Sequence, residues 1–209
     1  MREELSLKFL SINFKSWLLS LSEKDKEALR KKLAQSPRTV HGGFLPKNFF
    51  VTSGQATSPT SPLNAFDAAL TKAKISQCNI VPVSSILPPD ARQVENSEIT
   101  PGAITFCVLA RMDGDPGETI GAGVGWSWGT ATEGTRYGIV AEAHGYKDKE
   151  SIEKELKWKL QEMARLRNMT LTSMDFKAEY MEVPKGRYGS VVVALVYLPW
   201  TADESTRIP

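Results

Sequence analysis

The sequence predicts an α+β domain with mainly antiparallel pairing. Three observations carry this. Strand-like runs recur through the second half of the chain, only a few helical patterns interrupt them, and no regular strand–helix–strand alternation appears. The length of 209 residues suits one domain with appendages.

Residues 1–43 read as a helical extension. An amphipathic helix covers about 3–19, with Asn13 and Lys15 interrupting its apolar run and no small-residue cleavage site behind it. Ser22-Glu23-Lys24-Asp25 resembles a capping box that opens a second helix reaching about residue 35. Arg30, Lys31 and Lys32 sit near its end, where cations suit the helix dipole.

Residues 44–200 form the main domain. Lys47 to Thr52 reads as a strand, and 53–63 as a Ser/Thr/Pro loop. Asn64 caps a short helix to Ala73. Asn79 to Val83 is a short strand that Pro82 breaks, and Pro88-Pro89-Asp90 is a stop. Strands follow at 103–111, 119–128 and 136–144. A helix over about 147–167 carries Ile152, Leu156, Leu160, Met163 and Leu166 on one face. The runs 171–183 and 189–199 read as a hairpin joined through Pro184-Lys185-Gly186-Arg187. The polar tail 201–209 is read as loose.

Composition excludes several classes. The 26 basic and 24 acidic side chains leave a net charge of +2, which argues for neither nucleic acid nor a membrane as partner. No stretch approaches the ~20 apolar residues of a membrane span. Cys78 and Cys107 make no disulfide framework and read as buried, inert thiols in a reduced cytoplasm. Gly121-Ala122-Gly123-Val124-Gly125 lacks the Lys-Ser/Thr and the following helix of a phosphate loop. Its glycines share one strand face and predict a close approach by sheet or helix. Asp113 to Glu118 reads as a tight turn, not a metal loop. The two histidines, His41 and His144, cannot make a histidine-rich zinc site.

Val83-Ser84-Ser85-Ile86 offers chemistry. The Ser85 hydroxyl can attack the Ser84 carbonyl, turning amide into ester. β-Elimination then frees the chain ending at Ser84, and the remaining dehydroalanine hydrolyses to a pyruvoyl group and ammonia. A side-chain amide aimed at the Ser84 carbonyl would help, such a donor being worth about 3–4 kcal/mol in acyl chemistry. Asn79, six residues before Ser85, shares its face if the strand runs unkinked.

Three segments, in order and spacing, resemble the pyruvoyl-dependent arginine decarboxylase family. They are Ser61 to Leu70 (SPLNAFDAAL), Asn79 to Pro89 (NIVPVSSILPP) and Gly138 to Glu142 (GIVAE). The resemblance runs over most of 47–200 and implies a sandwich of two central sheets flanked by helices (αββα-type). It implies a zymogen that cuts itself between Ser84 and Ser85. It also implies a homotrimer of cleaved protomers, or a dimer of trimers, with active sites between subunits. Ser85 becomes the covalent pyruvoyl cofactor, with neither PLP nor a metal required. Its ketone forms a Schiff base with the amine of an amino acid, and L-arginine is converted to agmatine and CO2, a step of polyamine biosynthesis. Glu142 matches the proton donor, and its apolar strand would desolvate it. Asp67 matches a residue that meets the guanidinium, though Asn64 to Asp67 also has helix-capping spacing. Leu70, one turn on, lines the same pocket, and Ser84 stays there as the new chain end. His144 shares the face of Glu142 and is read as filling space. Pro82, and the lack of a glycine within 75–78, depart from the family pattern. The alternatives are a pyruvoyl decarboxylase for another amino acid and an uncleaved, non-catalytic paralogue.

Overall fold

The computed structural model describes residues 21–27 and 44–198. Its contacts divide the chain into Met1–Gly42 and Gly43–Pro209. In the first unit, residues 23–27 are helical. The Asp25 N–H donates to Ser22 Oγ at 3.2 Å, and the Ser22 hydroxyl donates to the Asp25 carboxylate, so the cap forms as its spacing predicts. The helix of 3–19, the remainder of the second helix, His41 and the 201–209 tail lie outside the described residues.

The second unit runs β1 (Asn48–Ser58), α1 (Pro62–Lys72), β2 (Asn79–Pro82), β3 (Ile86–Leu87), β4 (Arg92–Gln93), β5 (Ile104–Gly114), β6 (Thr119–Ala131), β7 (Arg136–Gly145), α2 (Lys149–Leu166), β8 (Met169–Glu182) and β9 (Tyr188–Leu198). The strands form two sheets, ordered β2-β5-β9-β1-β4 and β3-β7-β6-β8. Pairing is antiparallel except where β2 meets β5 and β1 meets β4. The fold is the helix-flanked, two-sheet α+β sandwich.

Its layers follow from residue type. β9 is almost uniformly apolar, so it suits a central strand buried on both faces. Val191, Val193 and Leu195 join Val108, Val124 and Val140 in the core between the sheets. Ala194 and Val196 face the other way and pack with Phe50, Ala73 and Ile75 beneath α1. Each fully buried Val, Leu, Ile or Phe among them contributes about 1.5–3 kcal/mol. α2 covers the second sheet with Ile152, Leu156, Leu160 and Ala164. The glycine row acts as its spacing predicts. A Cβ on Gly123 would lie 2.6 Å from Ile152 and one on Gly121 3.1 Å from the same side chain, so α2 rests directly on β6.

α1 approaches the first sheet as closely. A Cβ on Gly54 would stand 2.1 Å from the Ala69 carbonyl oxygen, and Thr52 Oγ1 donates to the Ala73 carbonyl at 2.7 Å. Gly54→Ala must therefore push the helix off β1. It is expected to cost at least about 1–3 kcal/mol, read as a lower urea midpoint. An unchanged midpoint would mean that α1 does not sit this close.

Three expectations need correction. β1 continues through the predicted loop to Ser58, because Ser53–Ser58 pair in register with Tyr188–Val193. The α1 cap is Ser61 rather than Asn64: Ser61 Oγ accepts the Asn64 N–H at 3.2 Å, and Pro62 opens the helix. The runs 171–183 and 189–199 are not a hairpin. β8 pairs with β6, whereas β9 pairs with β1 and β5. The Pro184-Lys185-Gly186 turn is present, with Gly186 at φ +71°, but it carries the chain from one sheet to the other. β8, with many exposed positions, suits an edge; β9 suits a centre.

Candidate active site

The chain changes sheets between β2 and β3, and the serine pair sits at the crossing. The Val83 N–H donates to the Cys107 carbonyl at 2.9 Å, extending the ladder of β2 on β5. The Ser85 carbonyl accepts the Val140 N–H at 2.9 Å, opening the ladder of β3 on β7. Ser84 is the step between them. It is exposed, and Ser85 is half-buried.

Pro82 does not break β2. In this parallel ladder Asn79 and Val83 turn their N–H groups inward, to the Ala103 and Cys107 carbonyls. Position 82 faces outward by alternation, so proline there costs no internal hydrogen bond.

A cavity of about 310 Å³ adjoins the crossing, lined by Phe44, Val83, Ser84, Ile86, Phe106 and Tyr197 among others. The Phe44 ring lies 5.1 Å from that of Phe106. The Tyr197 hydroxyl donates to the Ile86 carbonyl at 3.0 Å. Burial, followed by the field of Cys107, pushes that phenol up to about 12. The Cys107 thiol is likewise pushed up to about 12, first by burial and then by the fields of Cys78 and Glu142. A buried thiol so hard to ionise is a poor nucleophile.

Glu142 lies on β7, two residues past the Val140 that holds Ser85. Alternation gives it the face of Val140, between the sheets. Pairing of β3 ends at Ile139, however, and Glu142 is exposed. The described residues thus do not supply the desolvation expected of its apolar strand: Ala141 and Ala143 are the members buried under α2. Lys159 Nζ donates to the Glu142 carbonyl at 2.8 Å and ties the strand to α2. His144 is exposed, so it does not fill interior space in the described chain.

Asn79 does not reach Ser84. Its amide Nδ2 donates to the Gly102 carbonyl at 2.9 Å, at the far end of β2. The ladder puts roughly 13 Å, at about 3.3 Å per residue, between Asn79 and Val83, the residue before Ser84. The shared-face argument fails because the chain leaves β2 before Ser85. Asp67 and Leu70 ride on α1, outside the first sheet. Asp67 is exposed, well past the first helical turn, so it caps nothing; Leu70 is half-buried against the Phe50 cluster. Neither lines the cavity beside Ser84. Phe44 and Tyr197 do line it, and sequence reasoning had not singled them out. The signal for Tyr197 was a hydroxyl within the apolar run Val191 to Leu198, which needs a partner once buried.

Among the described residues no cluster of three or more His, Cys, Asp or Glu could hold a metal ion. Among the same residues no helix is long and apolar enough to cross a membrane.

Fold and crossing together define an αββα sandwich whose two sheets are joined by an adjacent serine pair. The family described as pyruvoyl-dependent arginine decarboxylase (PvlArgDC) matches residues 48–201, and the chain belongs to this family. It is 34% identical to the pyruvoyl-dependent arginine decarboxylase of Methanopyrus kandleri over 156 residues, covering 73% of this chain and 97% of that one. The Methanothermobacter thermautotrophicus protein of that name is 36% identical over 149 residues, covering 71% and 94%. Pyruvoyl-dependent arginine decarboxylase 1 of Methanosarcina mazei is 39% identical over 110 residues, covering 50% of this chain and 65% of that one.

Proposed function

We propose that this chain is a zymogen that cuts itself between Ser84 and Ser85 and then decarboxylates L-arginine to agmatine and CO2. The observation that carries the reading is the crossing. Val83 is held by one sheet and Ser85 by the other, which leaves the 84–85 peptide as the free span.

The first step needs only this chain. Ser85 Oγ bonds to the Ser84 carbonyl carbon, the C–N bond breaks, and the hydroxyl proton ends on the Ser85 nitrogen. The Ser85 Cα then loses its proton while the Cβ–O bond breaks, and residues 1–84 leave as a carboxylate. Water replaces nitrogen on the dehydroalanine, releasing ammonia and leaving the pyruvoyl group. The half-buried setting of Ser85 beside a largely apolar cavity suits such a ketone. Joined to the substrate amine as a Schiff base, the ketone supplies the electron sink that PLP supplies elsewhere. Glu142, two residues from the anchor of Ser85, is the proton donor to the carbon that has lost CO2.

Asp67 and Leu70 complete the pocket from a neighbouring copy, in a homotrimer or a dimer of trimers. Two facts support this. Both residues ride on a helix outside the first sheet, and Glu142 is still exposed in the single chain. Apolar side chains also flank the crossing in the open: Val81, Val83 and Ile86 are all exposed.

A CO2-release panel over arginine, ornithine, lysine, histidine and aspartate tests the substrate. Release from arginine is expected. Release from another of these but not from arginine would keep the pyruvoyl chemistry and replace the substrate. Asp67→Asn should cleave normally and raise KM for arginine about ten- to a hundredfold, the loss of one charged hydrogen-bonded pair. An unchanged KM would remove Asp67 from the pocket.

A further inference from the structure

We infer that Tyr197 is a positioning residue for self-cleavage, holding the strand that follows Ser85 so that the 84–85 peptide is presented to the Ser85 hydroxyl. The inference rests on the self-cleavage reading above.

Tyr197 belongs to β9, at the centre of the first sheet, yet its hydroxyl bonds to Ile86 in β3, an edge strand of the second. The β3–β7 ladder explains why that bond is needed. Ser85 opposes Val140 as a hydrogen-bonded pair, so Ile86, opposite Ile139, is a non-bonded pair. Its carbonyl therefore points away from β7, and the phenol takes it.

Three anchors then frame the serine pair. Val83 N–H is fixed to β5, the Ser85 carbonyl to β7, and the Ile86 carbonyl to β9. Fixing two successive carbonyls after the scissile bond sets the orientation of the Ser85 residue. The Ser84 carbonyl keeps the freedom to turn toward Oγ. β3 is only two residues long, and two ladder positions alone are a weak hold on a strand carrying a reacting group. Tyr197 is buried at 4% exposure within an apolar strand, where an unpartnered hydroxyl would be unfavourable. Its phenol stays protonated well beyond neutral pH, so it remains a donor throughout the working range.

The test compares wild type, Tyr197→Phe, and a variant with 4-aminophenylalanine at position 197, which restores an N–H donor on the same ring. Freshly made precursor is followed by intact mass. Tyr197→Phe is expected to slow cleavage at least about tenfold, equivalent to about 1.4 kcal/mol of barrier. The amino ring should return the rate to near that of wild type. Cleavage of Tyr197→Phe at the wild-type rate would overturn the inference and leave self-cleavage standing. Slow cleavage that the amino ring does not restore would also overturn it, because ring packing rather than the donor would then be at fault. A wild-type chain that never cuts would overturn both readings together.

Discussion

Ser85→Ala stays in one piece. Alanine has no hydroxyl to attack the Ser84 carbonyl and no β-oxygen to eliminate, so both bond-breaking steps are lost at once. The fold should survive the change. The hydrogen bond that Ser85 makes across the crossing uses its backbone carbonyl, paired with the Val140 N–H at 2.9 Å, and alanine keeps that group. The variant should therefore melt as a folded protein, show a single mass, and release no CO2 from any amino acid. Fragments ending and beginning at the same bond would refute the assignment of Ser85 as nucleophile.

Glu142→Gln separates the two activities. Glutamine has the same shape and keeps the β7 ladder, including the backbone carbonyl that accepts from Lys159. Cleavage should proceed, because the nucleophile, the scissile carbonyl and the anchors on Val83, Ser85 and Ile86 are all untouched. Turnover should fall by about 10²–10⁴, the usual contribution of a positioned proton donor. The loss should appear in kcat rather than KM, since Glu142 is assigned the transferred proton and not the guanidinium. Normal turnover in a cleaved Glu142→Gln enzyme would remove the donor role.

Regular periodicity made much of this fold legible. The apolar stripe Ile152, Leu156, Leu160 gave α2, and the alternate glycines at 121, 123 and 125 gave the surface that α2 rests on. Features that one signal shares between two outcomes were misread. A Pro-Lys-Gly turn looks the same whether the next strand pairs beside the last or crosses to the other sheet. The Ser- and Thr-rich end of β1 looked like a loop because its strand pairing is supplied by β9, far along the chain.

The site was legible to a lesser degree, and for a related reason. Ser85 and Glu142 were found through their likeness to a family, and the fold brings their strands together through Val140. Strand parity puts Asn79 on the face of Ser85 only while the strand runs unkinked, and the chain leaves β2 at Pro82. Asp67 was assigned to the pocket through the same likeness, and within the single chain it rides on a helix outside the first sheet, a placement that linear spacing does not encode. Tyr197 lies 111 residues from Ile86 along the chain, and only the fold brings the two together.

The most direct test of the account is the intact mass of the purified wild-type chain after long incubation. Two species are predicted, residues 1–84 and residues 85–209, the second lacking a free α-amine and reacting with a carbonyl reagent. A single full-length mass would contradict self-cleavage and leave the chain as an uncut member of its family without a pyruvoyl group.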